Sequence, residues 1–118
     1  MNVAAALTND RAGSRMPGEK PSVHDNPTEK RYEVQRDGLT AFVEYRREGE
    51  RIIFTHTEVP PPLEGHGLAS LLAAAALEDA RSQGLTVIPL CPFVSAYIRR
   101  HREFLHIVEP AYRRRLER

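Results

Sequence analysis

Gly65, His66 and Gly67 are the residues best placed for chemistry, because they stand where a β-rich stretch gives way to an Ala/Leu stretch of helical period. Two glycines one residue apart let a ligand approach the backbone closely. The first amides of the helix that follows have no intrahelical acceptor and carry the positive end of the helix dipole. Such a junction suits an anion of the pyrophosphate type, held by backbone N–H groups, with the His66 side chain turned to solvent. A tight strand-to-helix turn with no ligand uses the same residues. The third glycine of a dinucleotide fingerprint is missing, as is the Gly-Lys-Ser/Thr ending of a P-loop. The histidines, His24, His56, His66, His101 and His106, pair at no helical spacing with a carboxylate or a second thiol, so no metal site is expected.

The elements that must position this triplet follow from period and punctuation. Residues 31–35 alternate polar and apolar, with Tyr32 and Val34 on one face, and stop at Asp37-Gly38, a dipeptide that tolerates the positive φ of a hairpin turn. Residues 40–46 alternate again, a turn containing Gly49 follows, and residues 51–59 are β-branched and aromatic, which predicts a three-stranded antiparallel meander. Pro60, Pro61 and Pro62 end the third strand. Leu68, Leu71, Leu72 and Ala75 recur at helical spacing and Gly84 supplies a stop, which predicts a helix over 68–81. A strand over 85–90 then completes strand–helix–strand, with parallel pairing through a right-handed crossover. A second helix over 95–102, a last strand over 104–108 and a basic helix over 111–118 complete the expectation. The class is α+β (an α/β mixed sheet).

At 118 residues the chain suits one domain. Residues 1–30, with Pro17, Pro21, Pro27, Gly13 and Gly18, read as a flexible N-terminal tail, 31–108 as the folded domain, and 109–118 as a basic C-terminal tail. Hydrophobic residues at 41% and charged residues at 28% support a packed core, and a net charge of +1 is too balanced for a dedicated nucleic-acid binder. One cysteine, no signal-like N-terminus and no apolar window near the ~20 residues of a membrane span lead to an expected cytoplasmic location without membrane contact.

Pro62-Leu63-Glu64-Gly65-His66-Gly67-Leu68-Ala69 resembles the acyl-CoA-binding motif of the GNAT superfamily of N-acetyltransferases, Gln/Arg-x-x-Gly-x-Gly/Ala between a strand and a helix. Pro62 stands in the place of the usual Gln/Arg, and Glu64 where a basic residue is frequent. The likeness continues into 90–101, which is similar to the small GNAT-like N-acetyltransferase domain proteins, and covers about 31–108. It implies a minimal GNAT-like acyl-CoA N-acyltransferase fold: an antiparallel meander followed by strand–helix–strand, with a hairpin in place of two early helices and so an open acceptor side.

The resemblance also implies a cofactor and a reaction. Acetyl-CoA would lay its pantetheine between splayed strands ending at Val59 and Leu90, and its pyrophosphate on the backbone of Glu64, Gly65, His66, Gly67, Leu68, Ala69 and Ser70. Arg99 and Arg100 are candidates for its 3′-phosphate. Tyr97, six residues after Cys91, matches the position of a proton-donating tyrosine, or is a helix residue packed on the sheet. Cys91 would face the acyl group as a nucleophile, or be a buried structural thiol, which direct transfer to the amine favours. His56 and Glu58, expected on one face of the third strand with Phe54, are candidate bases.

The leading reading is therefore an acetyl-CoA-dependent N-acetyltransferase acting on an amine of a small molecule or a polypeptide. A non-catalytic acyl-CoA-binding or regulatory module is the second. A third is an interaction protein using its Arg-rich end, where residues 97–118 hold seven Arg against three Glu; no aromatic platform accompanies them for RNA stacking.

Overall fold

The computed structural model describes residues 22–117. Five strands, β1 (Val23–Asn26), β2 (Arg31–Arg36), β3 (Leu39–Glu48), β4 (Arg51–Glu58) and β5 (Thr86–Pro89), form one sheet in sequence order. The pairs β1 to β4 are antiparallel and β4–β5 is parallel. Among the described residues there are three α-helices, α1 (Leu68–Ser82), α2 (Pro92–Arg100) and α3 (Pro110–Leu116), with 3-10 turns at Pro61–Leu63 and Arg102–Ile107. The expected meander and strand–helix–strand are present.

Local chemistry explains the connections. Asp37 and Gly38 both take positive φ, 55° and 76°, the geometry that joins β2 to β3 in register. The α1 crossover packs on the sheet face carrying Tyr32, Val34, Val43, Ile52 and Phe54, and α2 joins it in the same buried cluster. Ala73, Ala76 and Ala80 let the α1 backbone lie close to the strands. The buried stripe of α1 runs through Leu68, Leu72, Ala73, Ala76, Leu77 and Ala80 rather than through Leu71 and Ala75, which are half-buried. Polar ties add to this packing: the Tyr32 hydroxyl donates to Asp79 of α1 and the Tyr45 hydroxyl to Asp25 of β1.

Four expectations are corrected. Residues 23–26, assigned to the flexible tail, are β1, held by its ladder to β2 and by Glu33, which accepts from Asn26 at 3.1 Å; residues 1–21 of that tail lie outside the described residues. The second helix begins at Pro92, not at 95, because Cys91 is its N-cap residue and a proline is at home in the first turn. The last strand over 104–108 is replaced by the 3-10 turn. Phe104 and Leu105 are both buried, which adjacent residues of an alternating strand cannot achieve on one face, and only Val108 bridges to Val87. The C-terminal residues, expected as a tail, are docked: Glu109 caps α3 through Ala111 N–H, Leu116 is buried, and Arg113 donates to the Val108 carbonyl at 2.9 Å.

Candidate functional site

β4 is paired with β5 only from Arg51–Thr86 to Phe54–Pro89. One further bond, from the Cys91 amide to the Phe54 carbonyl at 2.9 Å, closes the seam. Beyond it the two segments diverge into a wedge, with Thr57 and Cys91 at its apex, where Thr57 Oγ1 and Cys91 Sγ are 3.1 Å apart. Val59 and Phe93, each two residues farther out, line a cavity of about 340 Å³. The rest of its wall is Leu63, Glu64, Gly65, Gly67, Leu68, Ala69 and Ser70.

The glycine pair builds the cavity floor. Gly65 and Gly67 take φ of 86° and 75°, the left-handed region that costs other residues steric strain. Gly67 is the N-cap residue of α1, and its carbonyl accepts from Leu71 at 3.1 Å. Among the described residues, no amide from Gly65 to Ser70 donates to a backbone carbonyl. These donors, with the helix dipole behind them, make the cavity receptive to an anion. The first turn of α1 carries no acidic side chain, while the exposed Glu64 lies at the rim.

A β-bulge decides which strand residues meet the wedge. Glu44 pairs with His56 and Tyr45 with Phe54, so Thr55 is an extra residue and the alternation of β4 shifts by one. Phe54 and Thr57 therefore face the helices, while His56 and Glu58 turn to the opposite, open face. The expectation that His56 and Glu58 share a face with Phe54 is overturned. On the open face His56 Nε2 is 3.2 Å from Glu58 Oε1, both side chains are exposed, and Phe42 meets the His56 ring edge-on. The two candidate bases stand together, across β4 from the Thr57–Cys91 pair.

The other candidates are distributed unevenly. Cys91 is buried at the apex, at the N-terminus of α2. Tyr97 does not line the cavity: its ring stacks on His101 at a centroid distance of 3.9 Å and packs beside Phe104. Burial pushes its phenol above the ordinary value, and the charge of Glu103 adds to the rise. Arg99 and Arg100 lie at the far end of α2, ~9–11 Å along the axis from Phe93. His66 is exposed and its side chain is not part of the wall. Thr57, Leu63 and Phe93 are site residues that sequence reasoning did not single out; Phe93, an aromatic right after Cys91-Pro92, was the one readable signal.

An α+β mixed sheet whose antiparallel meander crosses over to a parallel edge strand, and parts from it above a glycine-rich helix N-terminus, is a GNAT-like fold. A solved structure shares it, that of a GCN5-like candidate N-acetyltransferase from Staphylococcus aureus. The TM-score is 0.59 at 23% identity, covering 75% of this chain and 87% of that one. Residues 31–108 match the model of the GCN5-related N-acetyltransferase family. The chain belongs to that family, and its general role is N-acetyl transfer. No described helix is long and apolar enough to cross a membrane.

Proposed function

We propose that this protein transfers an acetyl group from acetyl-CoA to an amine of a small molecule or a polypeptide by direct attack of the amine. The observation that carries this reading is the run of free amides from Gly65 to Ser70 opening into a cavity walled by Val59, Leu63 and Phe93, with the Thr57–Cys91 contact two residues behind Val59 and Phe93. Those amides suit the pyrophosphate, and the apolar passage past Val59, Leu63 and Phe93 suits the pantetheine arm.

Bound acetyl-CoA would supply an activated acetyl group; its transfer forms a C–N bond, breaks a C–S bond, removes one proton from nitrogen and returns one to sulfur. His56, paired with Glu58 on the open face, is suited to take the nitrogen proton from an amine arriving from that side. Cys91 is better placed than Tyr97 to return the sulfur proton, since it sits at the apex and Tyr97 packs along α2.

The test is incubation of the purified protein with acetyl-CoA and a panel of small amines and lysine-containing peptides, following thiol release and the acetylated product by mass. Acetyl transfer to at least one amine is expected. Acetyl-CoA binding with no product on the whole panel would favour the non-catalytic acyl-CoA-binding module.

A further inference from the structure

Thr57 takes no proton in acetyl transfer, yet its position is unusual. Without the bulge at Thr55 the strict alternation of β4 would put Thr57 on the open face and His56 toward the helices. With it, the Thr57 side chain crosses the seam to Cys91. The 3.1 Å contact is the one hydrogen bond the Thr57 side chain makes among the described residues. It forms where the backbone bonding between β4 and β5 has already ended.

We infer that Thr57 is a positioning residue for the Cys91 thiol, its hydroxyl donating to Cys91 Sγ. The inference rests on the acetyl-transfer reading above. A hydroxyl donating to the sulfur leaves the S–H proton uncommitted and so available to an acceptor other than Thr57. It also stabilises the negative sulfur left once that proton has gone. In the balanced step, the C–S electron pair of the thioester ends on the CoA sulfur, which takes the Cys91 proton. The resulting Cys91 thiolate keeps the Thr57 hydrogen bond until solvent reprotonates it, and the proton lost from the amine nitrogen leaves through the open face. The S···O separation is short for a sulfur contact, which fits the oxygen as donor, since O–H is the stronger donor of the two. A threonine also meets the strand's preference for β-branched side chains, so one residue serves the sheet and the thiol together.

Thr57→Val keeps the shape and removes the hydroxyl, while Thr57→Ser keeps the hydroxyl. In steady-state kinetics Thr57→Val should lower kcat about tenfold, the loss of one aligned hydrogen bond, with KM for acetyl-CoA within about twofold. Thr57→Ser should restore kcat. In a Cys91→Ala background Thr57→Val should add no further loss, since the two act as a unit. A readout without turnover uses the single cysteine of the chain. At fixed pH and without acetyl-CoA, alkylation of Cys91 by iodoacetamide, followed by intact mass, should slow severalfold in Thr57→Val and recover in Thr57→Ser.

Unchanged kcat and alkylation in Thr57→Val, failure of Thr57→Ser to rescue, or an equal loss in the Cys91→Ala background would each overturn the assignment while leaving the transferase reading standing. A wild-type protein that acetylates no amine would overturn both.

Discussion

The amide of Cys91 donates to the carbonyl of Phe54 at 2.9 Å, and among the described residues it is the last backbone bond across the seam between β4 and β5. That bond fixes where the sheet stops and the wedge begins. On its sheet side Phe54 is completely buried in the core; on its outer side Val59 and Phe93 part to form the cavity. The core thus sets the depth to which a ligand can enter, and the helix that starts at Pro92 follows from the same divergence.

Charge placed in the first turn of α1 should separate stability from binding. Ser70→Asp adds a carboxylate at the positive end of a helix, which stabilises helices by ~0.3–1 kcal/mol, so the melting temperature should hold or rise. The same carboxylate lies in the wall that receives an anion, and acetyl-CoA affinity by calorimetry should fall at least about tenfold. Removing the charge at the rim should act in the opposite sense: Glu64→Gln should tighten binding about two- to fivefold at low salt, with the gain shrinking as salt is added.

Tyr97 and Cys91 should part company in kinetics. Tyr97→Phe leaves the stack on His101 in place and should keep kcat within about twofold, because the phenol is not at the wedge. Cys91→Ala should lower kcat by about 10–100-fold with little change in acetyl-CoA affinity measured by calorimetry. A Tyr97→Phe variant that loses activity while Cys91→Ala keeps it would reverse the assignment.

Glu33 should make part of the stability depend on acid. It is nearly fully buried, which alone would raise its carboxyl. The hydrogen bonds from Arg31 at 2.5 Å and Asn26 at 3.1 Å more than offset that and hold it below its ordinary 4.5. A lowered carboxyl contributes stability that is complete above the unfolded value and fades as pH falls through the folded one. Glu33→Gln should therefore cost about 1–3 kcal/mol in urea unfolding at pH 7. The difference from wild type should narrow once the pH drops below about 4. A constant difference down to pH 3 would contradict this origin.

Much of this was readable in the residues, and the remainder was hidden for identifiable reasons. Asp37-Gly38 announced its hairpin because positive φ restricts residue choice, and Gly65-His66-Gly67 announced a helix start with open amides for the same reason. The run 85–90 read as a strand from its β-branched residues. The bulge at Thr55 was not legible, because nothing in the identity of Thr55, His56 or Thr57 marks an extra residue; it is set by which residues of β3 lie opposite, and it exchanged His56 for Thr57 at the wedge. β1 was hidden because Val23-His24-Asp25-Asn26 is polar and short, and one of the groups that holds it, the Tyr45 hydroxyl on Asp25, lies 20 residues along the chain. Phe104 and Leu105 looked like strand residues until the packing required neighbouring side chains to be buried together.

The most direct test of the account is an acetyl-CoA titration of the isotopically labelled protein, followed through its backbone amide resonances. The account predicts that the large shifts fall on Gly65 to Ser70, on Val59 and Leu63, and on Cys91 and Phe93, with little movement around Arg113 to Arg115. Shifts centred on the Arg-rich C-terminal helix, or none at millimolar acetyl-CoA, would contradict a cofactor seated in the wedge between β4 and β5.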